Sequence, residues 1–529
     1  MRGYRYLKKT IQLDKITAVK EVLTNTEINI NNKTSSKLIF GEGINDSELI
    51  VRQYLLMHFG GVNLNRALLS TLGKPGTAVV HPMPREWREV LRKHGFNVSE
   101  LSSEFIWKAY VFMFFIYGVK SLIKQNLLNI KAFFTKYNYN ELGNYVYFDG
   151  LIKGALPLSN EDEQSYDIMS WYYQWPGRSN KLDSLCHNVK GVNQTTLGSL
   201  KVVSIPSVIP PLTKVISLLS YFRWSFSASL YAFYHIFTGR WWNAVMLKEA
   251  SLSAAVRMQK PRNLARDYLF HNSGWIYRPL WTYEAYKLGS KITFYFYSTN
   301  CESFKRPDGY PNHTYGWQIM NWPRYLVWDD YQAKFVRSAV GEQTNISVVG
   351  PIWFQSSSIK MPEIDKNGIA VFDVTSHRQS RYCTLGADLE YYIPNVSKSF
   401  LDDIATSAKQ QNAIVLWKRK RNIGTMTHPY YRYFADKYSE RDEVVLIEPD
   451  ISALRVIESS CVVISMPFTS TALIARRLGK PSIYYDPTGQ VQRNDRAAHG
   501  IPVLSTTDEL DKWLSLHVDL NKCLENQLQ

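Results

Sequence analysis

Apolar and polar positions along the chain fall into two textures. Beyond residue 360, short apolar runs alternate with amphipathic stretches. Residues 369–372, 413–417, 444–447, 461–465 and 482–485 read as buried strands, and 400–411, 430–438, 452–459 and 471–478 as the helices between them. This alternation predicts a parallel, doubly wound sheet. The first 350 residues are less regular. Residues 77–80 read as a strand running into His81-Pro82, 85–94 as a helix stopped by Gly95, and 145–148 as a strand turning at Asp149-Gly150. A helix over 280–288, ended by Gly289, and strands over 292–297 and 347–349 restore the α/β rhythm, and Gly350-Pro351 marks a junction.

The pattern predicts an α/β protein of two domains: residues 1–350, with an aromatic-rich helical insertion expected at about 101–250, and residues 360–510, with 511–529 as a terminal helix or tail. At 529 residues the chain is long enough for two cores. Two apolar stretches invite a membrane test: 109–119, between Lys108 and Lys120, and the uncharged 224–239. Both fall short of the roughly 20 apolar residues of a spanning helix, although their aromatic residues and basic flanks also suit an interfacial helix.

Composition adds a net charge of +16 and 14% aromatic residues, a balance that favours anionic partners. The five cysteines are scattered without a CxxC pair, so neither a disulfide framework nor a zinc site is expected. The N-terminus has no apolar stretch after its basic residues, and a cytoplasmic location is expected. There is no GxGxxG after a strand and no P-loop, which counts against dinucleotide and ATP-hydrolase readings.

Ligands of doubly wound sheets bind beyond the carboxyl ends of the strands, so residues at those ends are the candidates for chemistry. Ser465-Met466-Pro467-Phe468-Thr469-Ser470-Thr471 follows one strand and opens a helix. Its hydroxyls and the free N–H groups of a helix start suit a phosphate, and plain N-capping is the simpler reading. Lys418-Arg419-Lys420-Arg421 ends a second strand, with His428-Pro429 beyond it, and Glu448 ends a third, placed to meet ribose hydroxyls. Asp373 ends the first C-terminal strand and is the leading candidate for base or nucleophile, with Asp149 and Glu284 as alternative acids. Asp329-Asp330 does not form the DxD of metal-dependent sugar transferases, so no metal or other cofactor is expected, and cations would neutralise the leaving phosphate.

The segment 465–471, with Ala472-Leu473-Ile474-Ala475 and Leu478-Gly479-Lys480-Pro481 behind it, resembles the bacterial polysaccharide biosynthesis proteins named for a PFTS motif. More distantly, the C-terminal domain is similar to capsule and lipopolysaccharide transferases that use CMP-activated Kdo or sialic-acid-like sugars. That resemblance implies the GT-B fold, two Rossmann-like domains facing a cleft, with 1–350 as the N-terminal acceptor-binding domain and 360–510 as the C-terminal nucleotide-sugar-binding domain. It also implies Lys418, Lys420, His428 and Thr469-Ser470-Thr471 around the nucleotide and an acid at Asp373. The relatives carry Lys-Pro-His-Pro in sequence, whereas here the basic strand end and His428-Pro429 stand apart. The implied function is a metal-independent glycosyltransferase of O-antigen or capsule synthesis. Its partners would be a nucleotide sugar and a glycan or lipid-linked glycan, with peripheral contact to the anionic inner membrane and no nucleic acid. The alternatives are a CDP-polyol phosphotransferase of similar fold and a non-enzymatic, nucleic-acid-binding assembly protein.

Overall fold

The computed structural model describes residues 19, 22–23 and 38–518, except 42, 45, 73–75, 136–141, 158–166, 193, 273–276, 300–301, 314, 353–360, 364–366, 379–390, 420–423 and 425–426. Helices α1 (Ser47–Phe59), α2 (Val62–Leu72), α3 (Arg85–Lys93) and the 36-residue α4 (Glu100–Thr135) precede the first sheet. Its strands are β1 (Tyr145–Phe148), β2 (Ser184–His187), β3 (Thr195–Leu197), β4 (Leu200–Ser204), β5 (Asp267–His271), β6 (Lys291–Tyr295), β7 (Arg324–Val327) and β8 (Ile346–Val348). They lie in the order β3-β4-β2-β1-β5-β6-β7-β8, all pairs parallel except β3 with β4. Between and beside them run α5 (Ile168–Gln174), α6 (Val215–Phe237), α7 (Trp242–Arg257), α8 (Trp281–Lys287), α9 (Tyr315–Gln318) and α10 (Asp330–Val340).

The second sheet is wholly parallel, in the order β11-β10-β9-β12-β13-β14. Its strands are β9 (Gly368–Phe372), β10 (Ile414–Lys418), β11 (Val444–Ile447), β12 (Val462–Ser465), β13 (Ser482–Tyr485) and β14 (Val503–Leu504). Helices α11 (Pro394–Gln410), α12 (Pro429–Tyr438), α13 (Ala453–Glu458), α14 (Ser470–Arg477) and α15 (Thr507–His517) complete it. Every residue of β9, β10 and β12 is buried, as expected of strands covered on both faces by crossover helices. The two sheets, the first parallel but for β3 and the second wholly parallel, make the GT-B-like, two-domain α/β fold.

Several expectations need correction. Residues 77–80 form no sheet strand; Val79 makes only an isolated parallel bridge to Val98. The stretch 101–250 is no helical insertion, because β1 to β4, half of the first sheet, lie within it. Residue 511 falls inside α15, whose Leu510 and Leu514 are buried as it packs on α11, so this helix belongs to the C-terminal domain. Helix α11 starts at Pro394, six residues before the expected 400, with proline in the first turn, where its missing N–H costs nothing. The run 109–119 is part of α4, which is long and apolar enough to cross a membrane by length and composition. Cys461 is disulfide-bonded, against the expectation drawn from cysteine spacing, whereas Cys186 is free and buried.

Candidate functional site

Both sheets have a point where the chain reverses its direction of travel across the sheet. In the second, β9, β10 and β11 run outward, and β12 then returns to the other side of β9. In the first, β1 leads outward to β2 and β4, and β5 returns to the other side of β1. Crevices open at such reversals because the loops beyond neighbouring strands diverge to opposite faces. The second sheet's crevice lies between the end of β9, at Asp373, and the end of β12, at the Pro467–Thr471 loop. The first sheet's lies between the end of β1, at Asp149-Gly150, and the end of β5, at His271-Asn272.

These carboxyl edges face one another. Thr299, beyond β6, donates its N–H to Ser470 Oγ (3.3 Å), and the two hydroxyls lie 3.3 Å apart. Beyond β7, Asp329 caps α10 through Gln332 N and meets His499 Nδ1 at 2.8 Å. Asp495 accepts from Lys305 N (2.7 Å) and Tyr310 Oη (2.9 Å), and Arg496 pairs with Glu302. Burial pushes the Glu302 carboxyl up to about 7, with Arg496 opposing it. Phe304 packs among Tyr391, Tyr392 and Phe468, with ring centroids 4.9–5.7 Å apart. Thr299 and Phe304 of the N-terminal domain therefore sit directly on the motif loop.

The motif loop is fixed from within. Ser465 Oγ lies 2.8 Å from Thr471 Oγ1, which lies 3.1 Å from Thr469 Oγ1. Thr469 Oγ1 donates to Met466 O (3.0 Å), and Tyr392 and Tyr484 donate to the carbonyls of Pro467 and Thr469. Phe468 is buried against Tyr484. Thr469 occupies the N-cap position of α14 but makes no side-chain cap bond, so simple capping does not account for its hydroxyl. The start of α14 presents backbone N–H groups and the positive end of its dipole toward the cleft.

The other expected residues divide. Asp373 does not face the cleft: it is 2% exposed, and its carboxylate accepts from Trp417 Nε1 (3.2 Å) and from the Tyr431 hydroxyl. Burial raises it to about 6, against the two hydrogen bonds and the Arg419 charge. Glu284 is also buried, bound to Gly41 N and to Arg257 Nη1 (3.1 Å), and so ties α8 to α7 rather than meeting a substrate. Lys418 ends β10, one strand in from the edge, and donates to Pro449 O (2.9 Å); burial lowers its ammonium to about 8, opposed by Asp450. Lys420 lies outside the described residues. His428 caps α12, its Nδ1 accepting from Tyr430 N (3.1 Å), which leaves the proton on Nε2, free to donate outward. Burial and the Arg378 charge lower its pKa. Glu448 is exposed at the end of the edge strand β11.

On the other wall, Asp149 is half-buried after β1. Sequence reasoning missed His271, which ends β5 next to it. Its Nε2 lies 3.3 Å from Gly150 O, and its ring packs on Tyr295 and Tyr297. Burial lowers the imidazole pKa, while the Gly150 carbonyl and the Asp149 charge oppose the shift. The available signal was His271-Asn272 directly after the apolar Tyr268-Leu269-Phe270.

A family described as polysaccharide biosynthesis PFTS motif protein matches residues 226–514, more than half of the chain. The chain belongs to this family. The matched part takes in β5 to β14, and with them His271, the interdomain contacts and the whole motif loop. No curated protein matches the chain. Among solved structures, the UDP-GlcNAc 2-epimerase from Methanocaldococcus jannaschii is 9% identical with a TM-score of 0.36, covering 71% of this chain and 92% of that one. The lipopolysaccharide outer core galactosyltransferase WaaB is 12% identical (TM-score 0.32; 71% and 91% covered). The α,α-trehalose-phosphate synthase (UDP-forming) from Burkholderia xenovorans is 11% identical (TM-score 0.34; 73% and 94% covered). These likenesses are distant, and the site rests on the chain's own geometry.

Proposed function

We propose that this PFTS-family protein is a glycosyltransferase of surface polysaccharide synthesis, such as O-antigen or capsule. It transfers a sugar from a nucleotide, of the CMP-activated Kdo or nonulosonic class, to a glycan. The observation that carries the reading is the apposition of the two crevices: an uncapped helix start with clustered hydroxyls on one wall and a carboxylate beside an imidazole on the other.

In this reading the start of α14 and Ser470 hold the donor phosphate, with Lys418, Lys420 and the Nε2–H of His428 supplying charge and a further donor, and Glu448 meeting the ribose. His271 takes the proton of the acceptor hydroxyl as its oxygen bonds to the sugar carbon. The bond from that carbon to the phosphate oxygen breaks, and Asp149 stabilises the imidazolium that forms. The charge on the departing phosphate is met by protein cations and backbone N–H groups, without a metal. Asp373 acts as a positioning residue through Trp417 and Tyr431. The acceptor is a glycan or a lipid-linked glycan, and the enzyme works peripherally at the inner face of the cytoplasmic membrane.

A thermal-shift series with CMP, CDP, UDP and GDP tests the donor site, because a ligand that binds only the folded state stabilises it by mass action. CMP is expected to raise Tm, Ser470→Ala to remove most of that shift, and His271→Ala to keep it while abolishing transfer. A shift with CDP alone would point instead to polyol-phosphate transfer, and no shift with any nucleotide would overturn the donor assignment.

A further inference from the structure

Helices α4 and α6 turn a mixed face, rich in small and polar residues, inward and a stripe of large apolar residues outward. The line of α4 turned into the protein sets Ser103, Gly118, Gln125, Asn129 and Ala132 among Trp107, Val111 and Leu122. The line turned outward includes Leu101, Phe105, Phe112, Ile116, Leu127 and Phe134, from 47% to 87% exposed. Spaced four, seven or eleven residues apart, they make one continuous stripe. Helix α6 repeats the arrangement, with Ser225, Ala228, Ala232 and His235 inward and Ile216, Leu219, Phe222, Phe226, Leu230 and Phe237 outward, from 56% to 80% exposed. The inner contacts are polar and close. Asn126 donates to Ser225 (3.3 Å), Ser121 meets Ser251 (2.7 Å), and Gly118 lies so near Leu247 that an added Cβ would sit 2.6 Å from it. Small and hydrogen-bonding residues inside, with large apolar ones outside, is how helices pack where the surroundings are themselves apolar.

Charge identifies those surroundings. From Phe105 to Thr135, α4 has no acidic residue but four exposed lysines, Lys108, Lys120, Lys124 and Lys131; α6 carries Arg223 and no acid. At 100° per residue, Lys120, Lys124 and Lys131 fall along one edge of the outward stripe, where their stems can follow apolar surface while the ammonium groups stay at headgroup level. A helix of 36 residues is about 54 Å long, well beyond the ~30 Å hydrocarbon core, and a spanning orientation would drag mid-helix lysines through it. We infer that α4 and α6 form an in-plane platform that embeds its outward face in the interface of an anionic bilayer. This rests on the peripheral attachment proposed above and adds the surface, its orientation and the lipid charge it selects.

Co-sedimentation of the full chain with vesicles of phosphatidylcholine, with and without phosphatidylglycerol, is the test. The wild type is expected to bind both and to favour phosphatidylglycerol. Leu219→Asp with Phe226→Asp, and separately Ile116→Asp with Leu127→Asp, should weaken binding to both by at least about tenfold. Lys120→Gln, Lys124→Gln and Lys131→Gln together should cost on the order of a hundredfold toward phosphatidylglycerol vesicles and little toward phosphatidylcholine. Absence of wild-type binding, or Asp variants that bind like wild type, overturns the inference. So does a wild-type dimer in sedimentation equilibrium that the Asp variants dissolve, since a second copy would then cover the face. The CMP-dependent Tm shift, measured on the same samples, separates the two readings: its retention in the Asp variants shows an intact fold, and its loss in the wild type with vesicle binding intact sinks the donor assignment alone.

Discussion

The second sheet and the α4–α6 pair bury different mixtures of residue. Around β9, β10 and β12 the interior is Ile369, Val371, Leu416 and Ile464, with polar groups kept to the strand ends. Between α4 and α6 serine, glycine, alanine, glutamine and asparagine share the interior with Trp107, Val111, Leu122 and Tyr221, while most of the leucines and phenylalanines face out. The difference teaches that burial and apolarity are separate properties. An element's outward face reports the medium it was built for, and its inward face reports how closely its neighbours approach.

The sharpest challenge to this comparison is one chemical change made in both regions. Leu416→Ala empties a fully buried site and is expected to cost about 3 kcal/mol in urea unfolding, whereas Leu127→Ala removes an exposed side chain and should stay within about 0.5 kcal/mol without lipid. Equal costs would erase the distinction. Next is Asp373, which burial raises from 3.8 to about 6. Between those values the folded state holds a proton that the unfolded chain has released, so stability falls as pH rises through this window, by on the order of 2 kcal/mol. Asp373→Asn should flatten that slope in melts taken across the same range; an unchanged slope would place the titration elsewhere. The smallest effect concerns the polar interior of the helices. Asn129 accepts from Leu212 N (2.9 Å) and from Gln125 (3.2 Å), so Asn129→Ala strands a buried N–H and should cost about 1–2 kcal/mol. A neutral result would make that interior incidental.

Most of the second sheet was legible in the sequence because strands buried on both faces are unbroken apolar runs between turn residues; β11 and β13 begin and end where the pattern placed them. Strands β2 to β4 were not legible, since at three to five residues, with threonine and lysine among them, they carry no period. The full length of α4 was hidden by its lysines, which look like boundaries in sequence but lie on the exposed side of an unbroken helix. For the site, a strand end could be located but not the direction of its side chain. Asp373 turns inward because Trp417 and Tyr431, 44 and 58 residues away, supply its hydrogen bonds. Glu284 finds its partners in Gly41 and Arg257, one of them 243 residues distant. Pairings of that range leave no local trace.

The carboxylate of Asp495 has a consequence for modularity. It sits 3% exposed in the C-terminal half, yet two of its hydrogen bonds come from Lys305 and Tyr310 of the N-terminal half, while Glu302 leans on Arg496 in return. Cutting the chain near residue 350 would take two of the donors from the buried Asp495 carboxylate and the ion-pair partner from Glu302. The two lobes, distinct as sheets, are thus bound into one cooperative unit, and neither is a free-standing building block that can be shuffled onto another partner.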